Sequence, residues 1–358
     1  MYHSQLMKTI LGLSLALSSC ISDLSGVSAE HLARQVTMEI ELEKIVELEQ
    51  GYGSELAFTQ DGQTWAAAKQ GAIYIWQNFQ LQKAVTLPGY IRGSVHFSKD
   101  GKSLIAGSVI YQNEQITTIP NLPEQLIAKI PPETDPRPEL FSVVNAVWSP
   151  DTKDVAVFSK YNPPRELGSD YDYEGPWSRL LLLSGQTGEL KQVLEPDCGI
   201  AESYAIAISE EWIAAGGDSI SVWERKTGHK VVQLTEKSTM IRDLQFNHDA
   251  SRIAAVRADG SVEVWETADW SEYSAWQAHE DLPRTVTFHP QLPLLVTGGD
   301  DAQLKIWSLE TTEPELIKVT SFADKIEGIA FEPTGKKLIV ASRFQDATIY
   351  WYEFKVSL

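Results

Sequence analysis

The chain has few cysteines and few basic residues. Its 358 residues include only two cysteines, so a disulfide framework is excluded, and no cysteine and histidine spacing is typical of a zinc site. Lysine and arginine number 30 against 49 aspartates and glutamates, which gives a formal net charge of -19. Because such a chain repels phosphate backbones, we expect no nucleic-acid partner.

The motifs of common catalytic and phosphate-binding sites are also missing. There is no Gly-x-Ser-x-Gly elbow, no His-Glu-x-x-His pair and no glycine-rich phosphate loop. The histidines His96, His248 and His289 lie on or just after predicted strands, where a histidine is more often structural than a ligand. We therefore expect no catalytic residue, no bound metal and no cofactor. An enzyme that uses a metal or cofactor stays open as an alternative, because a fold alone does not decide function.

The apolar run near the N-terminus, Ile10–Leu17, is too short to span a bilayer. It follows Lys8 and precedes small residues, which is typical of a secretory signal, and Met7 is an alternative start. Leu17-Ser18-Ser19-Cys20 resembles a bacterial lipobox, in which Cys20 is lipidated and becomes the mature N-terminus. We predict a signal over residues 1–29, a tether to about residue 35, and a periplasmic or membrane-anchored lipoprotein. Simple secretion after cleavage at Val27–Ala29 and an uncleaved anchor are the alternatives.

What the chain does contain is a repeat of about forty residues. Trp223, Trp265, Trp307 and Trp351 are separated by 42, 42 and 44 residues, and Trp76 fits the same place earlier in the chain. Each ends an alternating run such as SVEVW or QLKIW, which predicts a strand with one buried face. Leu183 takes the tryptophan position in the third unit. An upstream strand in each unit ends in an anchor before a turn, and the seven anchors are Phe58, Phe97, Trp148, Ile208, Phe246, Phe288 and Phe331.

Seven such units predict an all-β fold, a seven-bladed β-propeller over residues 36–358, because units of this size bury their faces only by stacking radially. The final unit ends one strand short. The alternating segment Val36–Leu48 can supply that strand and close the ring, which removes exposed sheet edges.

The unit AHEDLPRTVTFHPQLPLLVTGGDDAQLKIW resembles the WD40-repeat family. The resemblance implies that His279, Thr297, Asp301 and Trp307 form the hydrogen-bonded tetrad that ties strands of one blade together, a structural role. Other units match in part. Asp259 with Trp265 keeps two members of the tetrad, and three units keep chiefly the tryptophan.

Two insertions interrupt the repeat around the third unit. The anchor lies 18 to 20 residues before the tryptophan in most units, but 35 residues separate Trp148 from Leu183. The excess contains Gly168–Trp177, GSDYDYEGPW, and a proline-rich stretch, Pro131–Pro138, precedes the same unit. In the family that the chain resembles, loops of these two kinds share one face, so both insertions should lie side by side over the third blade.

Two surfaces are candidates for partner binding. One is an arm in which aromatic side chains, enriched at interfaces, alternate with acids: Tyr161, Asp170, Tyr171, Asp172, Tyr173 and Trp177. A calcium loop is an alternative for this arm, although position twelve is Leu181 rather than a carboxylate, and a solvated turn is another. The second surface is the opening of the central channel, where the resemblance places Arg92, Tyr204, Arg242 and Arg284. Arginines there could engage a carboxylate or an acidic peptide, or be balanced by neighbouring acids.

We therefore predict a non-enzymatic protein–protein interaction scaffold in the bacterial cell envelope, monomeric and in contact with the membrane only through a lipid anchor. The alternatives are a metal- or cofactor-dependent propeller enzyme that uses its channel, and a factor for envelope or outer-membrane protein assembly.

Overall fold

A computed structural model describes residues 37–47, 55–69, 71–78, 80–87, 95–119, 141–161, 179–194, 205–234, 239–343 and 348–357. By its contacts the chain divides into two units. Ile40–Lys355 contains the blades. Met1–Glu39 with Val356–Leu358 forms the second unit, of which only the ends of two strands are described.

The described residues form seven four-stranded antiparallel sheets, so the predicted seven-bladed, all-β propeller is confirmed. Blades 1 to 4 run from the inner strand outward as follows: β2 (Glu55–Phe58), β3 (Thr64–Lys69), β4 (Ala72–Gln77), β5 (Gln80–Thr86); β6 (Val95–Phe97), β7 (Ser103–Ala106), β8 (Val109–Gln112), β9 (Gln115–Thr118); β10 (Phe141–Trp148), β11 (Asp154–Tyr161), β12 (Arg179–Ser184), β13 (Leu190–Leu194); β14 (Ile206–Ile208), β15 (Trp212–Gly216), β16 (Ile220–Glu224), β17 (Lys230–Leu234).

Blades 5 to 7 follow the same order, and the N-terminal strand β1 is the outer strand of blade 7. Their strands are β18 (Ile241–Phe246), β19 (Arg252–Arg257), β20 (Ser261–Glu266), β21 (Glu272–Gln277); β22 (Pro283–Phe288), β23 (Leu294–Gly299), β24 (Gln303–Ser308), β25 (Glu315–Ser321); β26 (Ile326–Phe331), β27 (Lys337–Ser342), β28 (Thr348–Ser357), β1 (Thr37–Glu47). Closure of the ring by the N-terminal strand is therefore confirmed.

All seven predicted anchors are the last residue of an inner strand. The register also bears out Leu183 as the stand-in for tryptophan, because Leu183 pairs with Val155 as Trp223 pairs with Ile213. In the short blade 2 that position is held by Tyr111, opposite Leu104.

The core lies between neighbouring blades. At the seam between blades 7 and 1, the rings of Trp65 and Trp76 stack 4.1 Å apart, and Trp351 lies 5.6 Å from Trp65. All three indoles are buried. This aromatic cluster joins the last blade to the first.

The propeller has two faces, which we name the mouth face and the turn face. Inner strands begin at the mouth face, and each ends at the turn face in a hairpin to the second strand. Phe141 pairs with Tyr161 and Ser159 pairs with Arg179. The residues that flank the two predicted insertions are at the start of β10, the end of β11 and the start of β12. They therefore lie at the mouth face.

Three turn-face hairpins contain the same pattern of side-chain hydrogen bonds. Thr59, Ser98 and Ser149 each donate a hydroxyl hydrogen bond of 2.7 Å to the aspartate two residues later. Each hydroxyl oxygen also accepts from the backbone N–H five residues later, at 2.9 to 3.1 Å. A short side chain thus satisfies buried backbone at the point where each hairpin turns.

Candidate functional site

The structure brings the four tetrad side chains of blade 6 into one hydrogen-bonded chain. Trp307 Nε1 donates to Thr297 Oγ1 at 3.1 Å, and Thr297 Oγ1 lies 2.7 Å from His279 Nε2. His279 Nδ1 lies 2.9 and 3.0 Å from the two oxygens of Asp301. Since the threonine hydroxyl carries one hydrogen, it donates to Nε2, and the imidazole carries its proton on Nδ1 toward Asp301.

Burial opposes protonation of this imidazole. It lowers the pKa of His279 even though the charge of Asp301 and its hydrogen bond raise it. Lys305 Nζ adds a hydrogen bond of 2.7 Å to the Ala278 carbonyl and lies 3.6 Å from Asp301 Oδ2. These hydrogen bonds join β23, β24 and the turn between them to the segment before β22, which is a structural role.

Blade 5 replaces the tetrad by an ion pair that the sequence analysis missed. Ala255 stands where blade 6 has Thr297, and Arg257 Nε lies 2.8 Å from Glu263 Oε2, with both side chains 0% exposed. Arg257 Nη1 also donates to the carbonyls of Asp218 and Thr239, at 3.0 and 2.8 Å. The pair therefore fastens blade 5 to blade 4.

The inner strands enclose a central channel of about 850 Å³. Every inner strand contributes apolar side chains to the wall, among them Leu56, Val95, Val147, Ile206, Leu244, Val286 and Ile329. Acidic and basic side chains line the same space, among them Glu55, His96 and Asp243.

Charged side chains of blades 6 and 7 form ion pairs at the mouth face. Arg284, 24% exposed, forms two hydrogen bonds to Asp300, and Lys325 pairs with the same carboxylate. Arg343 Nε lies 3.5 Å from Glu327 Oε1. The predicted arginine rim is therefore a ring of mixed charge, and Arg284 is already engaged by an acid of its own blade.

Two further acids belong to this ring. Burial raises the pKa of Asp243 to about 7, although the backbone N–H groups of Leu244 and Val286, both 2.9 Å away, lower it. The position of Glu55 inside the ring of inner strands, which removes part of its hydration, and then the charges of Asp243 and Glu327 raise its pKa to about 8, although its side chain is exposed. Because Val286 lies on the neighbouring blade, Asp243 also joins blades 5 and 6.

The structure places some of the predicted site residues and not others. Arg242 lies at the start of β18, where its Nη1 is 3.6 Å from Met240 Sδ, and Tyr161 ends β11. Outside the described residues lie Cys20, Arg92, Asp170, Tyr171, Asp172, Tyr173, Trp177 and Tyr204. The binding arm and its calcium alternative thus stay predictions.

Neither a metal site nor a membrane-spanning helix is found in the described ranges. There, no three or more histidine, cysteine, aspartate or glutamate side chains are grouped to hold a metal ion. None of the described segments is a helix with the length and apolar content needed to cross a bilayer.

Residues 227–266 and 270–308 match the family model described as WD domain, G-beta repeat. Both matched segments fall on blades 4 to 6, around the tetrad and the buried ion pair.

The chain is also similar to curated proteins named eukaryotic translation initiation factor 3 subunit I. It is 26% identical to that of Aspergillus fumigatus over 111 residues, which is 31% of this chain and 32% of the relative. It is 26% identical over 102 residues to the protein of Emericella nidulans, which covers 28% of this chain and 30% of the relative. It is 20% identical over 108 residues to the protein of Candida albicans, which covers 30% of each chain. The match therefore spans about a third of the length of these relatives.

Proposed function

Because the chain carries WD40 repeats in a seven-bladed propeller, we propose that it is a non-enzymatic protein-interaction scaffold that binds a partner at the mouth face. The observation that carries the proposal is the ring of mixed charge there, formed by blades 1, 5, 6 and 7. Alternating charges on rigid strand ends provide orientation and specificity to a docking partner.

Arg242 is the side chain in this ring that we expect to contact the partner most directly. It is partly exposed and lies one residue before Asp243, at the mouth end of the inner strand of blade 5. An arginine at such a rim forms charge-assisted hydrogen bonds to a carboxylate.

The insertions around blade 3 are proposed to extend the same surface. The described ends at Phe141, Tyr161 and Arg179 leave blade 3 on the mouth face, which supports this placement. The aromatic and acidic residues of Gly168–Trp177 would then act as a docking arm.

Membership of an assembly is consistent with the relatives, each of which is named as a subunit of a larger factor. For this chain we propose an assembly in the bacterial cell envelope, because the residues before Cys20 have the pattern of a lipoprotein signal. Replacing Cys20 by serine should move the protein from the membrane fraction to the soluble fraction. Unchanged fractionation would contradict the lipid anchor at Cys20 and would leave the scaffold proposal unaffected.

The scaffold proposal is tested by two charge reversals on opposite faces. Arg242→Glu alters the mouth face, whereas Lys226→Glu alters an exposed lysine of the turn face as a matched control. Quantitative mass spectrometry of co-purified proteins should show a partner that is lost with Arg242→Glu and retained with Lys226→Glu. Loss of the same partner with both variants, or with neither, would contradict a mouth-face site.

A further inference from the structure

A cleft of about 910 Å³ opens between blades 2 and 3 on the turn face. Its floor is apolar and consists of Ile110, Ile119, Trp148, Val155 and Leu183. The rim consists of the hairpin turns of both blades and of the turn between β12 and β13.

The cleft is open because blade 3 has a glycine where other blades have a side chain. The N–H of Gly185 donates to the Lys153 carbonyl, and the N–H of Arg225 donates to the Glu211 carbonyl, both at 2.8 Å, so the two residues are equivalent. The side chain of Arg225 crosses to blade 3 and binds both oxygens of Asp151, at 2.7 and 3.1 Å. Gly185 has no side chain that could make the equivalent contact with blade 2.

No other residue fits at that glycine. A Cβ on Gly185 would lie 2.7 Å from Trp148 Cζ3 and would overlap the Thr152 carbonyl oxygen. The indole therefore occupies the space next to the backbone, and the chain cannot close the cleft from this position.

The indole of Trp148 lines the cleft. Trp148 is 8% exposed, and the Cζ3 edge of its ring is the edge next to Gly185. The indole therefore offers an apolar ring edge to a ligand in the cleft.

The rim has a local excess of positive charge on a chain of net charge -19. Lys99 and Lys153 line the cleft, and Lys102 lies 4.0 Å from Asp100. The other acid of the rim, Asp151, is neutralised by Arg225 and lies 3.4 Å from Lys153 Nζ. An anionic group is therefore favoured here over a cationic one.

We propose that this cleft binds a segment of a partner protein in which an apolar side chain is followed by a carboxylate. The apolar side chain covers Ile119 and Leu183 beside the Trp148 indole, and the carboxylate lies between Lys99 and Lys153. This site is on the face opposite the mouth-face site and does not depend on it.

The test uses a short peptide, acetyl-Gly-Leu-Glu-Gly-amide, and the indole N–H signals of the full-length protein in nitrogen-15 NMR. The Trp148 signal is assigned as the one that disappears in Trp148→Phe. Titration should shift this signal, with a Kd on the order of 1 mM for so short a peptide. The same peptide with glutamine in place of glutamate should bind several-fold more weakly.

Three variants locate the binding. Thr117→Trp fills the cleft from an exposed strand, because Thr117 pairs with the floor residue Ile110, and it should abolish the shift. Lys99→Gln should weaken binding several-fold, and Lys226→Gln, on the same face outside the cleft, should leave it unchanged. No shift up to about 10 mM, equal binding of both peptides, or binding that survives Thr117→Trp would overturn the proposal.

Discussion

Removing one hydroxyl from the blade 6 tetrad should destabilise the propeller more than its size suggests. In Thr297→Val the shape is kept, but Trp307 Nε1 loses its acceptor and His279 Nε2 loses its donor. Thr297 is 0% exposed, so water cannot replace either hydrogen bond without a rearrangement of the core. At about 1–3 kcal/mol for each of the two unsatisfied buried groups, we expect a loss of about 2–6 kcal/mol in the free energy of unfolding.

The matched control is Thr287→Val on the neighbouring strand. Thr287 is also buried, but its hydroxyl makes only a long bond of 3.4 Å to the Phe288 carbonyl, so we expect a loss below about 1 kcal/mol. Urea unfolding followed by tryptophan fluorescence gives both values, provided that the m-value is unchanged. Equal losses for the two variants would refute the view that the hydrogen-bonded chain, rather than side-chain shape, stabilises blade 6.

Three further predictions concern charges. Arg257→Met leaves Glu263 buried without its cation and should cost about 3–5 kcal/mol, whereas Arg257→Met with Glu263→Leu should recover most of that loss in urea unfolding. Burial raises the pKa of Asp151, but the hydrogen bonds of Arg225 and Ser149 outweigh burial and hold it well below its usual range. Arg225→Met should therefore be less stable than the wild type at pH 7. The difference in free energy of unfolding between the two proteins should become smaller as the pH falls below about 4. Glu55 has a raised pKa, so its proton is lost from the folded state only near pH 8. The free energy of unfolding of Glu55→Gln should accordingly increase relative to that of the wild type as the pH rises from about 5 to 8. A difference between the two proteins that does not change with pH would contradict the raised pKa.

Most of the architecture could be predicted because it depends on local patterns. Alternating apolar residues, an anchor such as Phe246 or Phe288, and a turn follow each other within one blade, so the strand order is readable from one stretch of sequence. Ring closure by β1 was predictable for the same reason, since the last unit lacked a strand that the N-terminal alternation supplies.

The site was less predictable because its contacts join residues of different blades. The pairing of Arg284 with Asp300 and Lys325 depends on how blades 6 and 7 stack, which no local pattern contains. The buried pair of Arg257 and Glu263 did leave a signal. Arg257 ends the otherwise apolar run RIAAVR, and Glu263 lies in the middle of SVEVW between two valines, where burial requires the charges to be paired.

The most direct test of the scaffold proposal is site-specific photocrosslinking. A photoreactive phenylalanine analogue placed at Arg242 on the mouth face, and separately at Lys226 on the turn face, reports which face touches a partner in the cell. We predict a discrete crosslinked partner from position 242 and none of the same mass from position 226. A crosslink of that partner from position 226 alone, or from both positions equally, would contradict the assignment of the mouth face as the binding surface.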